Sequence, residues 1–160
     1  MTREIQEYLL KKFEKKVDDV IVFRSQVKKE QLKFANNKLS VVKDWKSQDL
    51  GVFVAKDQKV VLSSLKKFDK KSSNEFVEKV LKFVEKSEVN ENYNGIYSGK
   101  AKYKKVKDLY DKKIEDMDSC SIVKECIDRG GELGVKRLAG VFENSIYEES
   151  ILGSNGVDVT

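Results

Sequence analysis

Residues 39–65, LSVVKDWKSQDLGVFVAKDQKVVLSSL, decide the fold class. They break into apolar, β-branched runs at 39–45, 50–55 and 59–63, each of strand length. Lys56, Asp57 and Gln58 separate the last two runs and read as a tight hairpin connection. Upstream, Asn36 and Asn37 signal another turn, because asparagine tolerates left-handed backbone. Before that turn, 27–34 mixes charged and apolar positions in an extended style, and 20–23 is a short apolar run. Four or five strands with such short links make an antiparallel meander, and such a sheet needs helices on one face.

Two flanking segments supply that cover. At 2–16 the apolar residues Ile5, Tyr8, Leu9 and Phe13, with Val17 following, are spaced by three and four and share one helical face. Thr2 can cap this helix, Glu4 lies near its positive end, and Lys11, Lys12, Lys15 and Lys16 crowd its last turns. Its apolar face is short, which favours packing on a sheet over lying on a membrane surface. Downstream, Ser72 and Glu75 form a capping-box pattern. Phe76, Val77, Val80, Leu81 and Val84 then trace a second helical stripe for the same sheet face.

From 87 to 116 the chain is polar, and Asn90, Asn92, Asn94, Gly95 and Gly99 break regularity, so a linker or long surface loop is expected there. Tyr93, Tyr97, Tyr103 and Tyr110 are expected to tack it down. The aromatic and lysine residues of 97–110 also suit stacking on single-stranded nucleic acid, although no defined RNA-binding motif accompanies them. A third helix is expected at 117–129, with Ile122, Val123, Cys126 and Ile127 on one side and Gly130-Gly131 as its stop. Val135, Arg137, Ala139 and Val141 then alternate with Leu138, Gly140 and Phe142. Glu143-Asn144-Ser145 reads as a turn, 146–152 as a strand, and Ser154-Asn155-Gly156 as a hairpin turn.

The expected fold is therefore α+β: an antiparallel β-meander covered by helices, followed by a further helix and the start of a second antiparallel sheet. The expected organisation is an N-terminal α+β lobe at 1–86, a linker or loop at 87–116, and a helix with antiparallel strands at 117–160. Residues 157–160 follow a hairpin turn where a return strand should begin, which reads as truncation before a C-terminal domain.

Composition narrows the chemistry. Hydrophobic residues are 39% and charged residues 37% of the chain, enough for a core beneath a heavily ionised surface. No apolar run approaches the roughly 18–20 residues that span a bilayer, and the N-terminus has no signal-peptide stretch, so a cytoplasmic location is expected. The net charge of +5 is carried mostly by lysine, with acids scattered throughout. Arginine is preferred for bidentate phosphate and base contacts, so this balance points only weakly to nucleic acid and more to a solvated surface of thermophilic type. On one helix Cys120 and Cys126 stand about 600° of rotation and about 9 Å of rise apart, a poor geometry for a disulfide. Buried or half-buried free thiols are expected.

The chain has no histidine. That removes Ser–His and Cys–His nucleophile pairs, histidine-containing zinc sites and the commonest general base near neutral pH. Two cysteines cannot make an all-cysteine zinc site, and neither a GxxxxGK[ST] nor a strand-following GxGxxG is present. Asp18-Asp19 and Glu148-Glu149 are acidic pairs of a kind that 27 acidic residues produce by chance. No catalytic, cofactor-binding or metal-ligating residue is nominated.

Three stretches carry a family resemblance. Residues 30–45, EQLKFANNKLSVVKDW, look like a strand–turn–strand opening. Residues 49–65, DLGVFVAKDQKVVLSSL, contain an LGV strand start and a small, polar hairpin return. Residues 137–156, whose VFENSIYEESILGSNG is a pattern of polar residues, end in an Asn-Gly turn. In this order the stretches resemble the N-terminal region of the TldD/PmbA family, with the PmbA-like (TldE) branch slightly favoured. The resemblance implies a non-catalytic N-terminal scaffold or assembly domain of a cytoplasmic metallopeptidase-like subunit, associated with peptide processing and with the name modulator of DNA gyrase. TldD-type members bind zinc through an HExxxH motif and a further cysteine in their later part. No residue here matches that motif, so any zinc implied belongs to a missing C-terminal domain or to a partner subunit. The implied partners are a second copy or a TldD-type subunit, with a peptide as the substrate of the assembly, and no membrane. The alternative reading is a stand-alone, lysine-rich nucleic-acid-binding module.

Overall fold

The structure is a computed structural model that describes residues 2–99, 104, 106–107 and 109–160. The elements run α1 (Thr2–Phe13), β1 (Asp19–Ala35), β2 (Lys38–Lys56), β3 (Lys59–Leu65), α2 (Lys70–Lys86), α3 (Lys112–Glu115), α4 (Ser119–Glu132), β4 (Gly140–Gly153) and β5 (Asp158–Val159). The α+β class holds. The five strands form one antiparallel sheet in the order β3-β2-β1-β4-β5, so the terminal strands add to the meander instead of starting a second sheet.

The meander has fewer and longer strands than the sequence suggests. The runs at 20–23 and 27–34 merge into β1, and those at 39–45 and 50–55 merge into β2. Polar residues such as Ser25, Gln26, Ser47 and Gln48 read as breaks, yet extended backbone tolerates them where one face meets water. The same holds at Glu143-Asn144-Ser145, which lies inside the unbroken strand β4. The true turns take left-handed backbone: Asn36 and Asn37 at φ 51° and 60°, Asp57 and Gln58 at φ 51° and 59°. Two consecutive residues in that region make the hairpin turn whose twist matches the strands it joins.

The chain divides into two compact units, each discontinuous in sequence, and this division cuts across the consecutive lobes expected above. Unit 1 comprises 1–26, 48–104 and 148–160. Its core packs Ile5, Leu9 and Phe13 of α1 and Val77, Val80 and Val84 of α2 against Val20 and Val22 of β1 and Leu50, Val52 and Val54 of β2. Val61 and Leu65 of β3 complete it, in register opposite Val54 and Leu50. The Phe13 and Phe76 rings meet edge-on, 6.4 Å apart. Both helical stripes thus lie where their spacing put them.

The start of α2 differs from expectation. Its N-cap is Asp69, whose carboxylate accepts from the Ser72 backbone N–H at 2.8 Å and from the Ser72 hydroxyl at 2.7 Å. Ser72 is therefore inside the first turn, because a carboxylate three residues earlier satisfies the free N–H groups with full charge. Those bonds, the backbone one first, hold the Asp69 carboxyl below the usual carboxylate range. One polar side chain that the sequence did not nominate is fully buried here. Gln6 donates to the carbonyls of Val22 (2.8 Å) and Ser150 (3.1 Å), and accepts from the Ser150 hydroxyl (2.9 Å). It ties α1 to β1 and β4.

Of the tyrosines expected to tack down 87–116, Tyr93 does so twice. Its ring tilts against Phe53 at 5.8 Å and its hydroxyl donates to Asp19 at 2.7 Å. Partial burial and Asp19 together push that hydroxyl well above the ordinary tyrosine range. Tyr97 is 72% exposed, and its backbone carbonyl, not its ring, is held by Asn155 at 2.6 Å. Tyr103 lies outside the described residues.

Unit 2 comprises 27–47 and 105–147: a β1–β2 arm, the adjoining stretch of β4, and the helices α3 and α4. Asp118 caps α4, accepting from the Ser121 N–H at 3.1 Å. Gly130 and Gly131 do not stop this helix; they lie within it, and the left-handed residue is Gly134 at φ 77°. The buried residues of α4 are Ser119 and Val123, and Cys120 and Cys126 are exposed free thiols and not buried ones. The Asn36-Asn37 turn is clamped by 136–138. Arg137 donates twice to Asn36 Oδ1 (3.0 and 2.8 Å), Asn37 Nδ2 donates to the Lys136 carbonyl (3.0 Å), and the Leu138 N–H donates to Asn37 Oδ1 (2.6 Å). No helix among the described residues is long and apolar enough to cross a membrane.

Candidate functional site: a lysine-lined cleft

Successive strand residues point to opposite sheet faces, and in unit 2 each face of the arm is charged. Lys28 and Glu30 of β1 share one face. The Lys28 ammonium donates to Glu115 at 2.6 Å, and the Ser119 hydroxyl donates to Glu30. On the same side, Asn144 of β4 donates through Nδ2 to the Ile114 carbonyl at 2.8 Å. Its Oδ1 is buried and, among the described residues, has no hydrogen-bond partner. Lys29 takes the other face. Its ammonium lies 2.8 Å from Glu143 and 5.6 Å from the centre of the Trp45 ring, while Gln31 also donates to Glu143.

Of these groups, Lys28, Lys29, Glu30, Trp45, Glu115 and Asn144 border a cleft of about 690 Å³, whose lining also includes Asp44 and Lys46. Its charges are fixed by their partners. The Glu143 bond raises Lys29 above the ordinary lysine value, and Lys29, ahead of Gln31, lowers Glu143. Lys28, ahead of Tyr110, lowers Glu115, whose hydrogen bond in turn raises Tyr110. Chemically the cleft offers ammonium groups, an indole face and a buried amide acceptor.

Unit 1 has a second groove, about 470 Å³, on the sheet face away from its helices, bordered by Phe23, Gly51, Ser64 and Ile151. The Phe23 ring lies over Gly51, where a Cβ would come within 2.1 Å of it. Arg24 is nearly buried beside this groove, donating to Ser150 at 3.1 Å and to Glu148.

The sequence nominated no site residue, and the cleft explains why none was visible. Lys28, Lys29 and Lys46 are three lysines among many, and Glu143 and Asn144 read as a turn. The detectable signal was the uninterrupted alternation of Phe142, Asn144 and Ile146 through that supposed turn. Zinc is the metal implied by the family resemblance, and the residues here do not fit it. The chain has no histidine, and among the described residues no three Cys, Asp or Glu side chains converge as ligands.

Residues 20–91, which run from β1 through the end of α2, match the family model described as PmbA/TldA metallopeptidase domain 1. Over these residues the chain is similar to the first domain of that family. Solved structures share the fold over nearly the whole chain. TldE from Thermococcus kodakarensis superposes with a TM-score of 0.79 at 19% identity, covering 97% of this chain and 36% of its own. A candidate modulator of DNA gyrase from Bacteroides thetaiotaomicron gives 0.83 at 13% identity, covering 98% and 37%. Another from Thermotoga maritima gives 0.82 at 16% identity, covering 99% and 36%. The chain thus spans little more than a third of the length of these PmbA/TldD-like structures. No curated protein matches it by sequence.

Proposed function

We propose that this chain is the non-catalytic N-terminal scaffold of a PmbA/TldD-type subunit, of the TldE-like branch, in an assembly that processes peptides. The observation that carries this reading is the family match at 20–91, placed in that family's first domain, in a chain without a single histidine. In this reading the zinc chemistry belongs to other residues of the assembly, and the chain supplies strands and helices to a wall around the peptide. Its partners are a second copy or a TldD-type subunit, and the assembly is cytoplasmic. The test is to assay the purified chain against short unstructured peptides with and without added zinc, then to mix it with a TldD-type subunit. The expected result is no hydrolysis by the chain alone and co-elution with the subunit. Zinc-dependent cleavage by the chain alone would overturn the reading.

A further inference from the structure

Strand β2 changes surroundings along its length. β3 pairs with it only from Leu50 to Lys56, so among the described residues 38–47 have β1 on one side and no strand on the other. Every residue of 38–47 except Val41 is exposed. The apolar members Leu39 (42%), Val42 (49%) and Trp45 (39%) stand open to solvent. Such an edge presents a row of unused N–H and C=O groups, and its natural complement is another extended peptide backbone.

The charge of the arm says which peptide. Residues 27–47 carry six lysines against Glu30 and Asp44. On the edge itself Lys38, Lys43 and Lys46 outnumber Asp44. A second copy paired here through the same edge would set lysine rows against each other, which is unfavourable across strands. A phosphate backbone would meet the lysines but has no donors for the strand carbonyls. A strand with acidic side chains satisfies both the backbone and the ammonium groups.

We propose that the free edge of β2 at 38–47 binds an extended acidic peptide as an added strand, with Lys43 and Lys46 selecting for its carboxylates and Trp45 packing against it. The site does not depend on the scaffold reading above. Trp45 is the chain's single tryptophan, so its emission reports occupancy directly. The probe is a capped heptapeptide of Glu and Val with glutamates on both strand faces, so that Lys43 and Lys46 can each meet one, titrated into the purified chain. A saturable change in Trp45 emission is expected, weakening as salt is raised because the selecting charges are exposed. The K43E/K46E double variant should bind this peptide at least about tenfold more weakly and prefer the Lys/Val counterpart.

A second comparison leaves the protein unaltered: the acidic peptide N-methylated at every residue keeps its charge but has no N–H donor, and it should fail to bind. The proposal is overturned if the acidic peptide gives no saturable change, or if the N-methylated form binds equally. It is also overturned if a single-stranded oligonucleotide displaces the peptide at equal concentration, which would make the edge a nucleic-acid surface. Trp45 emission that depends on protein concentration without peptide would equally overturn it, in favour of self-pairing.

Discussion

Unit 1 and unit 2 are held together by different means. Among the described residues, fifteen of the seventeen buried apolar ones belong to unit 1, and only Leu32 and Val123 belong to unit 2. Unit 1 is a two-layer core in which two helices remove one sheet face from water, so its stability comes from apolar area. Unit 2 relies on polar fastenings: the Asn36-Asn37 turn gripped by 136–138, and the ion pairs of Lys28 with Glu115 and Lys29 with Glu143. Exposed ion pairs contribute little to stability, whereas buried methyl groups contribute much. The same chain therefore spends its apolar residues where it needs rigidity and its lysines where it can meet a ligand.

The contrast is sharpest if unit 1 is struck first. Phe13→Ala removes a fully buried ring between α1 and α2 and should cost about 3–5 kcal/mol, read as a lower urea midpoint. Leu32→Ala in unit 2 also empties a fully buried site, but its thin surroundings can collapse, so about 2 kcal/mol is expected. Equal losses would erase the distinction between the units.

Gln6→Ala comes next. It takes the acceptor from the Ser150 hydroxyl and a donor from two backbone carbonyls in the core, for about 1–3 kcal/mol by the same denaturation measurement. In unit 2, Asn37→Gly keeps the left-handed backbone but loses the clamp to 136–138, and about 1 kcal/mol is expected. Asn37→Ala should cost more than the glycine variant, because it loses the clamp and strains the backbone as well. If the two variants were equal, φ at this turn would not matter.

The smallest effect concerns pH. Glu143 is depressed by Lys29, so its contribution is present above the usual carboxylate range and is lost as pH falls through its lowered value. Lys29 is raised by Glu143, so its contribution is present below the usual lysine value and is lost as pH rises through the raised one. Trp45 emission, with Lys29 over its ring, should therefore be flat between those limits and shift at both ends. Glu143→Gln should remove the acid-side shift while leaving the urea midpoint nearly unchanged.

Much of unit 1 was legible. Its helices repeat apolar residues every three or four positions and its hairpin runs are β-branched, and both patterns follow from burial against a single sheet face. Unit 2 was read less well for the same physical reason. With little apolar burial, its strands carry Gln, Ser, Asn and Lys at positions that periodicity treats as breaks, so 143–145 read as a turn and the long strands were divided. The Asn36-Asn37 turn survived because it depends on local backbone preference and not on the core.

The sequence by itself determined the α+β class, the helical stripes, both asparagine- and aspartate-bearing turns, the absence of histidine chemistry and the family resemblance. These rest on local geometry and composition, which a chain carries with it. Tertiary structure alone decided that one sheet takes all five strands, that Gln6 is buried, that Asp69 caps α2, and that Lys28, Lys29, Trp45 and Asn144 share a cleft. Each of those depends on residues far apart in sequence being brought within hydrogen-bonding or van der Waals distance, and no local pattern encodes which partner a polar side chain will meet.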